Sequence, residues 1–121
     1  MLFRDANLDQ AVRDALGIPL ALLMKEDLEK LTELVYEGKE GAKISDLTGI
    51  EHCIGLKRLH LRKHQITEVH PLANLINLRE LVIGYNQLSE VSPLANLINL
   101  KQLDLPHNQL TEVTTISNTK K

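Results

Sequence analysis

The sequence predicts an α/β solenoid. Stacked coils carry a parallel sheet on the concave side and short 3₁₀ or extended segments on the convex side, with an α-helical cap at the N-terminus. Three observations predict it. The segment LKRLHLRKHQITEVHPLANLIN (56–77) is followed directly by LRELVIGYNQLSEVSPLANLIN (78–99), and 12 of their 22 positions are identical. A third copy, LKQLDLPHNQLTEV, starts at Leu100. Residues 1–30 do not share this period and have a helical apolar spacing instead.

Self-similarity at a fixed 22-residue period with an LxxLxL core is the mark of a leucine-rich repeat, a stack of coils in which each unit buries its apolar face against its neighbours. The register extends backward. Leu31, Leu34 and Tyr36 fall where Leu56, Leu59 and Leu61 fall one coil later, and Ile44, Leu47, Ile50 and Cys53 match Ile66, Val69, Leu72 and Leu75. The expected organisation is one continuous domain, with a helical cap over 1–30 and repeats over 31–121. Its coils are coil 1 (31–55), coil 2 (56–77), coil 3 (78–99) and coil 4 (100–121). Coil 1 is longer than its neighbours, and the extra residues fall in the polar stretch EGKEGAK (37–43), where an insertion is expected to disturb little packing.

The elements follow in order. Asp5 is an N-cap residue; Leu8, Val12, Ala15 and Leu16 recur at helical spacing, and Gly17 is a stop signal. A second short helix spans about Lys25 to Lys30, with Leu23, Leu28 and Leu31 inward. Such a cap gives the first coil a polar outer face in place of an apolar edge. In each coil LxxLxL forms a short strand whose later two leucines point inward, while the residues beside them face the concave side. The VxPLANLxN side begins with a proline that has no N–H to donate, so it reads as extended or 3₁₀. Asn86 and Asn108 hold the turn after the strand, where the amide side chain satisfies backbone groups from coil to coil. His64 takes that place in coil 2. It either makes a poorer version of the same bonds or has a role of its own.

The concave columns can be read from the register. They comprise Glu33, Val35 and Glu37, then Arg58, His60 and Arg62, then Glu80, Val82 and Gly84, and last Gln102, Asp104 and Pro106. Lys63, Tyr85 and His107 follow at the rim. Adjacent strands lie about 4.8 Å apart, so Arg58 is expected between Glu33 and Glu80. One reading of this row is a solvated cross-strand charge pair. The other is a mixed-charge recognition face formed by Arg58, His60, Arg62, Lys63, Glu80, Val82, Tyr85, Gln102, Asp104 and His107. Arg and Tyr lead it, because each combines a large apolar area with a polar end.

Composition excludes several alternatives. A net charge of −2 and a pI near 6.2 supply no global pull toward nucleic acid or anionic membrane. No apolar run approaches the roughly 20 residues of a membrane helix, and MLFRDANLDQ has no apolar stretch long enough for a signal peptide. With one cysteine, Cys53, there is no intramolecular disulfide, and its place at an inward leucine position reads as a small buried hydrophobe. His60 and His64 are four apart on a strand and turn, not on one helical face, and no cysteine pair accompanies them, so neither a metal nor a cofactor is expected. No nucleophile–base spacing or phosphate-binding glycine loop is present, and the expectation is not an enzyme.

The unit LxxLxLxxNxLxxVxPLANLxN resembles the repeats of the internalin family of bacterial leucine-rich-repeat proteins. ISDLTGIEHC (44–53) resembles that family's first-coil signature, and FRDANLDQAVRDALG (3–17) is similar to its helical cap. The resemblance covers nearly the whole chain. It implies a right-handed solenoid, a protein-binding role, and a bacterial surface or secreted location. The function expected is therefore a protein–protein interaction module that uses the concave face and adjoining rim on a protein partner. The alternative is a structural cap within a larger surface or secreted protein, without a ligand of its own. Leu103, Leu105, Leu110, Val113 and Ile116 belong to a coil with no successor, and TTISNTKK resembles no cap. Self-association through that coil is a further expectation.

Overall fold

The computed structural model describes residues 2–19 and 22–108. Helix α1 spans Ala6–Leu16. Asp5 caps it, its Oδ1 accepting the N–H groups of Asn7 (2.9 Å) and Leu8 (3.2 Å), and Gly17 ends it in the left-handed conformation (φ 69°). Leu8, Ala11 and Val12 are buried and Leu16 is partly so, but Ala15 is exposed. Ala15 points in the same direction as Leu8 and Ala11 but lies in the last turn of the helix, beyond the buried contact made by Leu8, Ala11 and Val12. Asp9 is buried as well; Arg13 Nε donates to its Oδ2 at 2.9 Å. The second expected helix, Lys25–Lys30, is 3₁₀ rather than α. Asp27 Oδ2 accepts the Met24 N–H at its start (2.9 Å). Leu28 and Leu31 point inward as expected, whereas Leu23 is only partly buried.

The four LxxLxL segments form strands β1 (Glu33–Val35), β2 (Arg58–His60), β3 (Glu80–Val82) and β4 (Gln102–Asp104). They pair in parallel in the order β1-β2-β3-β4. Leu34, Leu59, Leu81 and Leu103 stand in register. On the far side of the coils run the 3₁₀ turns Ile50–His52, His70–Leu72 and Ser92–Asn96, the last two with proline in their first turn. Between sheet and turns lies one aliphatic core of stacked columns: Leu31/Leu56/Leu78/Leu100, Ile44/Ile66/Leu88, Leu47/Val69/Val91, Ile50/Leu72/Leu94 and Cys53/Leu75/Leu97. The first leucine of each LxxLxL is thus as buried as the later ones. The solenoid with a helical cap predicted from the period is the observed architecture.

The segment 44–53 is the seat of the cap. Asp5 Oδ2 accepts the Ser45 N–H (2.7 Å), the Ser45 hydroxyl (3.2 Å) and the Asp46 N–H (3.1 Å). Asn7 Nδ2 donates to the Lys43 carbonyl at 3.1 Å. Asp46 Oδ1 in turn accepts the N–H (2.8 Å) and hydroxyl (2.6 Å) of Thr48, which holds its carboxyl below the usual range. Gly49 adopts φ 110°, and a Cβ there would stand 2.4 Å from the Leu2 carbonyl oxygen and 2.7 Å from the Phe3 ring. The motif's residue types therefore serve to receive the N-terminal segment.

The polar stretch 37–43 is less permissive than its composition suggests. Gly38 donates its N–H to the Arg62 carbonyl (2.8 Å), extending the ladder past β1, and lies directly against the Lys63 carbonyl. A second ladder runs along the convex side, where Asn77 Nδ2 donates to the Ile54 carbonyl (2.9 Å) and Asn99 Nδ2 to that of Ile76 (2.7 Å). Leu103 is buried and Leu105 partly buried; Leu110, Val113, Ile116 and TTISNTKK lie outside the described residues. Among the described residues no helix is long and apolar enough to cross a membrane.

Candidate functional site

The sheet register aligns two rows across the concave face: Glu33–Arg58–Glu80–Gln102 and Val35–His60–Val82–Asp104. Arg58 stands between the two glutamates. Its Nη1 donates to Glu33 Oε2 (3.1 Å) and its Nη2 to Glu80 Oε2 (3.5 Å). His60 Nε2 bonds the same Glu80 oxygen; a carboxylate only accepts, so Nε2 carries the proton. These contacts, the His60 bond first, hold the Glu80 carboxyl below its ordinary range. Arg58 and Glu33 are about half exposed, so their pair contributes less than about 1 kcal/mol to stability. Its effect is to fix three charged side chains in one arrangement.

Val82 departs from the expectation of a contact residue. It is 6% exposed, because its short branched side chain stands between the longer His60 and Asp104 on the neighbouring strands. Gly84 is also covered, with Pro106 of the next coil against it.

At the rim, Lys63, Tyr85 and His107 have φ of 65°, 58° and 60°. The left-handed region costs a non-glycine residue about 1 kcal/mol or more, and here it recurs at the same position of three successive coils. The turn out of the strand requires it, because the next residue must aim its side chain back into the stack. Tyr85 and His107 stack with ring centroids 4.2 Å apart and 19° between planes, and Arg62 Cζ lies 5.1 Å from the Tyr85 ring centroid. Coils 2 and 4 flank coil 3, so both faces of Tyr85 are occupied within the molecule and its edge and hydroxyl face outward. Lys63 Nζ pairs with Glu37 Oε2 at 3.0 Å, which lowers the Glu37 pKa. A shallow cleft beneath the rim is lined by Gly38, Glu40, Lys43, Lys63, His64 and Tyr85.

A family model for leucine-rich repeats in two copies matches residues 76–118. The fold is similar to that of a solved internalin (inlF) from Listeria monocytogenes, with 35% identity and a TM-score of 0.85. That alignment covers 93% of this chain and 33% of the other, so the chain spans one third of that internalin's length. This is an internalin-like leucine-rich-repeat protein. A structure of the CBM51-2 and INT domains of Clostridium perfringens ZmpB is 20% identical with a TM-score of 0.62, over 83% of this chain and 18% of the other, and bears on the fold alone. Comparison with curated protein sequences gives no match. Leucine-rich-repeat chains of this kind are, in general, protein-interaction modules.

In this internalin-like chain the turn ladder explains His64. Asn86 Oδ1 accepts the Ile66 N–H (3.1 Å), and its Nδ2 donates to the carbonyls of Leu61 (2.9 Å), Ile83 (2.9 Å) and Gly84 (3.1 Å). Asn108 repeats the pattern with Leu88, Ile83 and Leu105. His64 Nδ1 accepts the Ile44 N–H (2.9 Å) and its Nε2–H donates to the Tyr36 carbonyl (2.6 Å). It joins coil 2 to coil 1 and lacks the bonds within its own coil.

The arrangement needs a neutral imidazole, and burial lowers the His64 pKa below 6.5. The unfolded chain therefore takes up this proton first. Stability is fully present above about pH 6.5 and falls as the pH drops from there through the lowered folded value. His64→Asn is expected to gain about 1 kcal/mol at pH 7 from the restored bonds and to lose less stability in acid. Urea unfolding of both proteins at pH 7.5 and 5.0 checks this; equal pH dependence would show that His64 is not the source of the acid sensitivity.

The remaining titratable groups lie elsewhere. His70 pairs with Glu68 (3.1 Å) and His52 with Glu51 (3.9 Å), both away from the sheet. Cys53 is fully buried and its thiol is pushed up to about 12, chiefly by burial and then by Glu51. The left-handed rim and the Arg62–Tyr85–His107 stack were not legible from composition. The signal was positional, since Lys63, Tyr85 and His107 each precede the ladder residue of their coil.

Proposed function

We propose that the internalin-like chain binds a protein partner through its concave face and the adjoining rim, with Arg58, His60, Arg62, Lys63, Glu80, Tyr85, Gln102, Asp104 and His107 in contact and Val82 as packing beneath them. The observation that carries this reading is the recurrence of left-handed backbone at Lys63, Tyr85 and His107. Glycine or asparagine would relax each position, so the side chains present there are carried outward at a cost in backbone energy. The pre-ordered Glu33–Arg58–Glu80–His60 network supports it, because charges already fixed lose little freedom on binding.

Area limits the strength. Four strands about 4.8 Å apart and about 14 Å long project roughly 270 Å², against about 800 Å² per partner in a standard interface. The sheet alone is therefore too small for a standard interface, and the rim must supply part of the contact. A structural role within a longer array is the second reading, favoured by the one-third coverage of the related internalin.

Random dodecapeptides displayed with blocked C-termini, selected against the full chain, test the first reading. Amide chemical-shift changes are expected on β2–β4 and the rim, and Arg62→Ala with Tyr85→Ala should weaken binding at least about tenfold while the circular dichroism stays unchanged. Binders whose shifts fall only on the convex side, around His52 and His70, would overturn it.

A further inference from the structure

Among the described residues, Arg62 differs from Arg58 and Lys63 in having no acidic side chain as an ion-pair partner. Arg58 is shared by two glutamates and Lys63 is held by Glu37, whereas the Arg62 guanidinium, among the described residues, has the Tyr85 ring as its contact and no carboxylate within ion-pairing distance. Contact with the Tyr85 ring, itself braced by His107, restricts the guanidinium, and none of its N–H donors has a hydrogen-bond acceptor among the described residues. Guanidinium donors lie in a rigid fork matched to a carboxylate, and ordering the fork beforehand removes much of the entropic cost of a bidentate bond. Resting on the binding reading above, we propose that Arg62, positioned by Tyr85 and His107, is the specificity anchor of the rim and takes the side-chain carboxylate of a single acidic residue in an extended segment of a protein partner.

The charges around it set the class of ligand. The two aligned rows carry Glu33, Glu80 and Asp104 against Arg58, so the floor is net negative. Asp104, two strands over and two residues back in register from Arg62 and so about 12 Å away, has no ion-pair partner among the described residues. A run of acidic residues laid along the face would meet this negative floor. Glu37, paired to Lys63, also dilutes positive charge at the rim, which suits a monoanionic carboxylate better than a phosphate dianion. The anchor is thus one Asp or Glu flanked by neutral or basic residues.

The test uses the displayed dodecapeptides selected above, resynthesised with amidated C-termini. Those that map to the concave face and rim are expected to share one Asp or Glu. Changing that residue to Asn or Gln should weaken binding about tenfold. Arg62→Gln should weaken the parent peptide equally and leave the amide-substituted peptide unaffected, the signature of a direct pair. Tyr85→Leu, which keeps the charge and removes the stack, should give a smaller loss in the same cycle.

Peptides that map to this face without an acidic residue would overturn the anchor while leaving the binding reading intact. So would independent losses in the cycle, or an acidic residue made dispensable by a free C-terminus. Peptides that map elsewhere would overturn both.

Discussion

Gly38→Ala is expected to lower the unfolding free energy by about 3 kcal/mol or more, a large share of the 5–15 kcal/mol typical of a domain. A Cβ at residue 38 would stand 1.8 Å from the Lys63 carbonyl oxygen and 2.6 Å from its carbon. Neither is the end of a flexible side chain, so the two backbones must separate. Separation breaks the 2.8 Å bond from the Gly38 N–H to the Arg62 carbonyl and disturbs the turn that carries Lys63 and His64. Gly41→Ala is the control. Nothing lies within 4 Å of its added Cβ, and only its φ of 80° opposes the change, at about 1 kcal/mol. Urea unfolding of both variants checks the contrast. Equal losses would mean that the strand ladder yields easily at this point.

Asp5→Ala is expected to cost about 3 kcal/mol, from the lost helix cap together with the charge-assisted bonds to the coil. One carboxylate performs both tasks: Oδ1 caps α1, and Oδ2 accepts from Ser45 and Asp46. Its loss should uncouple the helix from the first coil before the coils themselves open. Hydrogen exchange should show the Asn7, Leu8, Ser45 and Asp46 amides losing protection while those of β2 and β3 keep it. Asp5→Asn retains one acceptor oxygen and should lose about half as much. A change below about 1 kcal/mol for the alanine variant would place the attachment of α1 in its apolar contacts, Leu8 and Val12, instead.

Most of the architecture was legible because a single 22-residue period encodes strand, burial and turn together. Matching Ile44, Leu47, Ile50 and Cys53 to their counterparts one coil on places them in the observed core columns, since in a stacked array a residue's neighbour is its own repeat equivalent. The same logic put Arg58 between Glu33 and Glu80, where the side chains meet. It was weaker in the cap, which has no repeat to copy from: Ala15 is exposed, and the second helix is 3₁₀. At the candidate site the register gave the column of every residue but not its use. Val82 and Tyr85 occupy outward-facing positions alike, yet one is covered by its neighbours and the other has both ring faces occupied.

The sequence by itself determined the coil, the order of the strands and which residues line each column. Those properties follow from spacing along the chain, and an apolar side chain every few positions can be buried only one way in a parallel stack. The tertiary structure decided what lies between columns: the carboxylate of Asp5 reaching Ser45, the backbone of Gly38 against Lys63, and the guanidinium of Arg62 over Tyr85. These depend on how far each side chain reaches and which neighbour meets it in space, and no period in the sequence records that.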